Sequence, residues 1–172
     1  IAFSIYFLMC RGAFCIPFSW RISFVACLRI LYRDIVDGSG TTPFVTASGV
    51  NNGVTAYIDS TNYDIIKGNC ILIGGKTFTL TYQKNDFVSN DSHNIVLYSN
   101  SYCDEQILLF IVTVLKCSLK NKYHWGDAVT KDKLLAQSIS LPADGKGEPD
   151  WNYMQHYMFS IKKIVSSSPI LN

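Results

Sequence analysis

Gly74-Gly75-Lys76-Thr77 has the residue types that close a phosphate-binding loop, and Asp91-Ser92-His93 has the residue types of a hydrolytic triad. Neither spacing supports that chemistry. A phosphate cradle needs an earlier glycine and a helix behind the lysine. Here the first glycine is missing and an apolar–polar alternation follows. Triad members must converge from separate elements, so three adjacent residues cannot form one. The three histidines (93, 124 and 156) are scattered. The six cysteines (10, 15, 27, 70, 103 and 117) include no C-x-x-C pair and no zinc-type spacing with histidine. No metal site is expected, and the default for the thiols is a buried, reduced state in a cytoplasmic protein.

Other catalytic signatures are also missing. There is no G-x-G-x-x-G after a strand, and no Asn-Pro-Pro-Tyr or Asp-Pro-Pro-Tyr of the kind used by amino-methyltransferases. What remains is a set of polar loops between strands, rich in Asn, Lys, Thr, Gln, Tyr and His. Such side chains suit hydrogen bonds to base edges and contacts to phosphate, and equally any polar surface. Charge does not decide between these readings. Residues 1–33 carry four arginines and no acid. Residues 34–172 hold the other 11 Lys/Arg and all 13 Asp/Glu, a net −2. Only a local run is basic: Lys116, Lys120, Lys122, Lys131 and Lys133 outweigh Asp127 and Asp132, which also fits a solvated face.

The elements that would position these loops are legible in outline. The 172 residues, 48% hydrophobic and 16% charged, suit one ordered domain with its own core. Asp37-Gly-Ser-Gly40 is a turn. Pro43–Ala47 and Val54–Ile58 read as a hairpin around Asn51-Asn52-Gly53, where Asn and Gly tolerate positive φ. Cys70-Ile-Leu-Ile73 is a buried strand, Gly74-Gly75 a turn, and Thr77–Tyr82 alternates like a strand with one wet face. Lys84–His93 reads as a polar loop and Asn94–Tyr98 as a strand. Residues 104–120 are apolar nearly all round and too long for a strand, so a buried helix is predicted, with acids at its start and lysines at its end. A short helix is predicted from an N-cap at Thr130 to Gln137, then a strand at Ser138–Leu141. Asp150 caps a last helix whose apolar stripe is Met154, Met158, Ile161 and Val165, supported by Tyr157 and Ile164. Such a stripe is usually core, and it also fits the first turns of a partner-binding helix.

The first 33 residues read differently. Their longest uncharged run is ten residues, short of the roughly 20 needed to span a membrane. Three readings stand: a membrane-surface element, a genuine N-terminal strand and helix, or sequence from a wrong reading frame, the last being preferred. The expected division is therefore 1–33 as an atypical segment, 34–149 as the domain, and 150–172 as the start of a further helix.

Four stretches together resemble one family. Thr42-Pro-Phe-Val-Thr-Ala-Ser-Gly-Val-Asn-Asn-Gly-Val54 is similar to the entry motif of type I restriction specificity subunits. Ile73–Gln83 followed by Asp86–His93 resembles the strand and loop that come next. Asn121-Lys-Tyr-His-Trp-Gly-Asp127 resembles a turn of that family. Ile139-Ser-Leu-Pro142 with Pro149-Asp-Trp-Asn-Tyr-Met154 resembles its lead into a long helix. The opening motif is not clean, with Trp20 its remnant, and a second recognition domain is missing. A half-subunit that dimerises, a truncated gene and a fragment all fit.

The resemblance implies a target-recognition domain of α/β (α+β) class. Its features would be a mixed, mainly antiparallel sheet, packed helices and the start of a coiled-coil-type helix. It implies recognition of one half of a split double-stranded DNA target, without catalysis in this chain. S-adenosylmethionine would bind in a partner methyltransferase. A restriction subunit and a second copy of the chain are further candidate partners; no membrane is implied. On this reading Asn51, Asn52, Lys76, Thr77, Tyr82, Gln83, Lys84, Ser92, His93, Lys122 and Tyr123 face DNA, and Met154, Tyr157, Met158, Ile161 and Val165 face a partner helix. Trp125-Gly126-Asp127 is read as structural. The alternative is an assembly domain that docks partners through its last helix; a small enzyme is the least favoured reading.

Overall fold

The computed structural model describes residues 3–7, 16–24, 30, 32–89, 93–99, 103–120, 122–123 and 126–168, with the backbone alone for 3–7, 16–24 and 32. The strands are β1 (Phe3–Phe7), β2 (Ile16–Phe24), β3 (Thr42–Val45), β4 (Val54–Ile58), β5 (Cys70–Gly74), β6 (Leu80–Gln83), β7 (Val88–Ser89) and β8 (Asn94–Ser99). The helices are α1 (Glu105–Leu119), α2 (Lys131–Leu135) and α3 (Trp151–Ser166). Five strands form an antiparallel sheet in the order β1-β2-β8-β5-β6. A smaller sheet has the order β4-β3-β7, with β7 parallel to β3.

Strand β5 lies between β8 and β6 and carries an unbroken apolar run. Ile71 and Ile73 pair in register with Leu97 and Ile95 of β8 and, with Leu80 and Tyr82 of β6, face Leu108, Ile111 and Leu115 of α1 and Met154 of α3. Cys70 and Leu72, with Val96, face the other way onto Val45 of the smaller sheet and Phe87 just before β7. A strand buried on both faces cannot alternate, which is why it reads as a continuous hydrophobic run. Each fully buried Leu or Ile here contributes roughly 1.5–3 kcal/mol of transfer free energy.

The helices begin where side chains can satisfy their first amides. Asp104 accepts from Ile107 N at 2.9 Å, Thr130 from Lys133 N at 3.3 Å, and Asp150 from Tyr153 N at 2.8 Å. The hairpin β3–β4, the buried strand β5, strand β8, helix α1 with acids at its start, and the N-caps at Thr130 and Asp150 match expectation; the cap at Asp104 is an addition.

Several expectations change. The strand at 77–82 starts only at Leu80, because Phe78 adopts φ +50 and its amide bonds Gly74 O at 2.8 Å. All four residues of β6 are buried, so the alternation does not mark a wet face. The stretch 84–93 is not simply a polar loop: Phe87 and Val88 are fully buried, and β7 adds a strand to the smaller sheet. Residues 138–141 form no strand, although Ile139 and Leu141 are buried. Cys70 and Cys103 are buried thiols, but Cys117, on α1, is exposed. The composition change at residue 33 is not an edge of the larger sheet, since β2 pairs with β8 along Trp20–Phe24.

Candidate nucleic-acid interface

The loop from β3 to β4 turns through three consecutive residues in the left-handed region: Asn51 (φ 49), Asn52 (φ 52) and Gly53 (φ 82). Asn tolerates this region better than other residues with a side chain, and glycine enters it freely. Gly53 is required for a second reason: a Cβ there would lie 2.8 Å from Thr46 O. The turn brings Asn52 against β6, the outer strand of the larger sheet. Asn52 Nδ2 donates to Tyr82 O at 2.8 Å, and Gln83 Nε2 donates to Asn52 O at 2.9 Å and to Thr81 Oγ1 at 2.9 Å. Asn51 stays exposed, with its amide on Val54 O at 3.1 Å. The loop therefore satisfies backbone groups that an open sheet edge would leave unpaired.

The turn from β5 to β6 packs beside it. Thr77 Oγ1 donates to Ala47 O at 3.1 Å. At Gly75 the backbones come very close: a Cβ would sit 2.3 Å from His93 O, and Val129 N donates to Gly75 O at 2.8 Å. Three segments far apart in sequence (the loops around 47, 93 and 129) are thus held at one end of β5.

Between these loops and the last turn of α1 lies an open cleft of about 580 Å³, whose lining includes Asn52, Thr77, Phe78, Lys116, Lys120 and Tyr123. Phe78 and Tyr123 form its apolar floor, with ring centroids 5.2 Å apart at 48°. Of the residues expected to face DNA, Asn52, Thr77 and Tyr123 meet here. Asn51 and His93 are exposed nearby and Lys76 is half-buried.

Three expected surface residues are interior instead. Gln83 is spent on Asn52 and Thr81. Tyr82 is buried and its hydroxyl donates to Asn69 Oδ1 at 3.1 Å; burial, then Glu105, pushes its pKa up. Tyr123 is buried, its hydroxyl donates to Lys133 O at 3.3 Å, and burial followed by Asp127 pushes its pKa up. Two lysines lie away from the cleft lining: Lys84 pairs with Glu105 at 3.3 Å and Lys122 donates to Gln137 Oε1 at 2.8 Å. Burial alone would raise the Glu105 carboxyl, but the hydrogen bond from Lys84 together with Lys162 outweighs it and holds Glu105 below its ordinary value. Ser92 lies outside the described residues, as do His124 and Trp125.

Lys116, Lys120, Thr79 and Thr81 line the cleft but were not singled out as site residues. The spacing of the two lysines, four apart near the end of a helix, was the available signal. Elsewhere in the basic run, Lys133 is engaged by Asp127.

Helix α3 has one buried residue, Met154. It is fastened to α1 by Gln155 on Asp104, by Lys162 on Glu105 at 3.4 Å and by Tyr157 edge-on to Phe110 at 5.9 Å. Met158 is half-buried, but Tyr157, Ile161 and Val165 are exposed, as are Phe159 and Ile164. The expected stripe is therefore core only at its beginning. Among the described residues no group of three or more His, Cys, Asp or Glu is placed to hold a metal, and no helix is long and apolar enough to cross a membrane.

Two solved structures share this fold. The HsdS subunit from Thermoanaerobacter tengcongensis superposes with a TM-score of 0.57 at 16% identity, over 91% of this chain and 40% of that one. A structure described for the complex assembly and conformational transition of the type I R-M system superposes with a TM-score of 0.58 at 15% identity, over 92% of this chain and 42% of that one. Residues 25–164 match the family model of the type I restriction modification DNA specificity domain, and the chain belongs to that family. The specificity subunit S.BcgI of the type II restriction enzyme BgcI, from Heyndrickxia coagulans, is 29% identical over 128 residues, covering 73% of this chain and 37% of that subunit. The chain thus spans about two-fifths of the length of these relatives.

Proposed function

We propose that this chain reads the sequence of double-stranded DNA as one recognition domain of a restriction–modification specificity subunit. The observation that carries the reading is the family match across residues 25–164. The geometry supports it: Asn51 and Asn52 stand on the loop laid along the edge strand β6, and Lys76, Thr77 and His93 stand at the β5–β6 turn, an arrangement in which polar side chains on loops can be held against base edges. The part assigned to this chain is specificity. Methyl transfer, with S-adenosylmethionine as donor, and cleavage belong to partner methyltransferase and restriction subunits in the cytoplasm.

A mobility-shift assay with the cognate methyltransferase subunit tests this. The assembled complex is expected to retard duplex DNA carrying its target more strongly than unrelated duplexes. A complex that assembles and binds no duplex would end the reading.

A second role in assembly rests on α3. Tyr157, Ile161, Ile164 and Val165 are exposed and share one face of α3, and exposed apolar surfaces mark contacts with other chains. Its partner is the methyltransferase subunit or a matching helix of a second copy or second domain. Removing residues 150–172 separates the roles: lost assembly with retained DNA contact assigns α3 to assembly alone.

A further inference from the structure

We infer that the cleft between the β5–β6 turn and the last turn of α1 seats the sugar–phosphate backbone of the bound DNA, with Lys116 and Lys120 neutralising phosphates; this rests on the DNA-reading function proposed above. Both lysines are exposed and form no ion pair among the described residues. They are the charged residues of the cleft lining, and no carboxylate joins them. In a chain whose residues 34–172 carry a net −2, two adjacent cations without acids are a local feature with a definite sign. Four residues apart on one helix, their Cβ atoms lie about 5–6 Å from each other, so two flexible ammonium groups can reach neighbouring phosphates of one strand.

The rest of the cleft suits the same ligand. Thr77, Thr79 and Thr81 line it; the Thr77 proton is on Ala47 O, whereas Thr81 Oγ1 accepts from Gln83 Nε2, and a threonine hydroxyl that accepts from a neighbour can donate to a phosphate oxygen. The Phe78–Tyr123 floor offers an apolar surface to a deoxyribose. Phe78 is held at φ +50, an unfavourable conformation for a bulky side chain and one that concentrates at ligand clamps. The cleft is open and continuous with Asn52 and Thr77, so a strand seated in it passes the loops proposed to read bases. An acidic segment of a partner protein would use the same lysines, and the experiment separates the two.

The chain with its cognate methyltransferase subunit is titrated with short duplexes of several unrelated sequences across a range of salt, as wild type, as K116A/K120A, and as K146A for a control lysine in an exposed loop. The double variant is expected to bind all sequences about tenfold more weakly at low salt, with a log K against log salt slope shallower by about 2, since each lost phosphate contact removes about one unit. K146A is expected to match wild type. On the wild-type protein, duplex DNA is expected to slow alkylation of Cys117, an exposed thiol that also lines the cleft, severalfold when followed by mass spectrometry of its peptide. An unchanged slope in a double variant that still binds DNA, or unprotected Cys117, overturns the seat and leaves the reading function standing. Intact DNA affinity with lost methyltransferase association overturns it in favour of a protein partner. No DNA binding by the wild-type complex removes both.

Discussion

Asn52 and Gln83 hold each other across 31 positions of sequence: the Asn52 carbonyl accepts from Gln83 Nε2 at 2.9 Å, while the Asn52 amide caps the neighbouring Tyr82 carbonyl at 2.8 Å. This reciprocal contact fixes the loop that presents Asn51 to the rigid sheet. Replacing Asn52 by alanine removes the bond to Tyr82 and places a less tolerant residue at φ 52, so N52A is expected to lose about 2 kcal/mol of unfolding free energy. N52G keeps the backbone conformation and loses the amide, at about 1 kcal/mol. Urea unfolding of both variants measures this. An N52G protein as stable as wild type would show that the bond contributes nothing.

The close approach at Gly75 predicts a sharp contrast between two glycines. G75A pushes a methyl group into the His93 carbonyl 2.3 Å away, and both sides are backbone, so about 1–3 kcal/mol or more is lost as the strands separate. A Cβ at Gly145 meets nothing within 4 Å, so G145A is expected to be neutral or slightly stabilising. Thermal melts of the two variants decide it.

Asp86 ties the chain before β5 to the chain after β6. Its carboxylate accepts from Lys67 Nζ at 2.7 Å and from Gly68 N at 2.8 Å, and these bonds, the Lys67 one foremost, hold its pKa below the ordinary aspartate value. A carboxyl depressed on folding stabilises the fold fully above its unfolded pKa, near 3.9, and loses that effect as the pH falls through the lower folded value. D86N is therefore expected to be less stable at neutral pH by under about 1 kcal/mol, since the pair is solvent-screened. The two stability curves should converge in acid. Denaturant unfolding across pH tests the sign, and a gap that widens in acid would contradict it.

Along α3, burial predicts which substitutions reach the fold. Met154 is fully buried, so M154A is expected to cost about 2–5 kcal/mol. Ile164 and Val165 are exposed, so I164S/V165S is expected to leave the melting of the isolated chain nearly unchanged while weakening association with its partner, read by size-exclusion chromatography of the complex. Equal destabilisation by both variants would make the stripe core throughout.

The sequence by itself determined what depends on local chemistry. The N-caps at Thr130 and Asp150, the Asn51-Asn52-Gly53 turn and the unbroken apolar run of β5 were legible because each is a property of a few neighbouring residues. The tertiary structure decided which polar residues face water. Tyr82 and Gln83 look like surface residues of an alternating strand, yet β6 is covered on one face by α1 and met on the other by the Asn52 loop. Phe87 and Val88 sit in a polar stretch, yet Phe87 bridges Ile66 and Val88 pairs with Phe44 of β3. Lys116 and Lys120 are unremarkable lysines at a helix end until the β5–β6 turn is folded against them. Pairing over 30 or more positions leaves no periodic trace in a sequence, because the partner of a polar side chain is set by where the sheet brings the chain back.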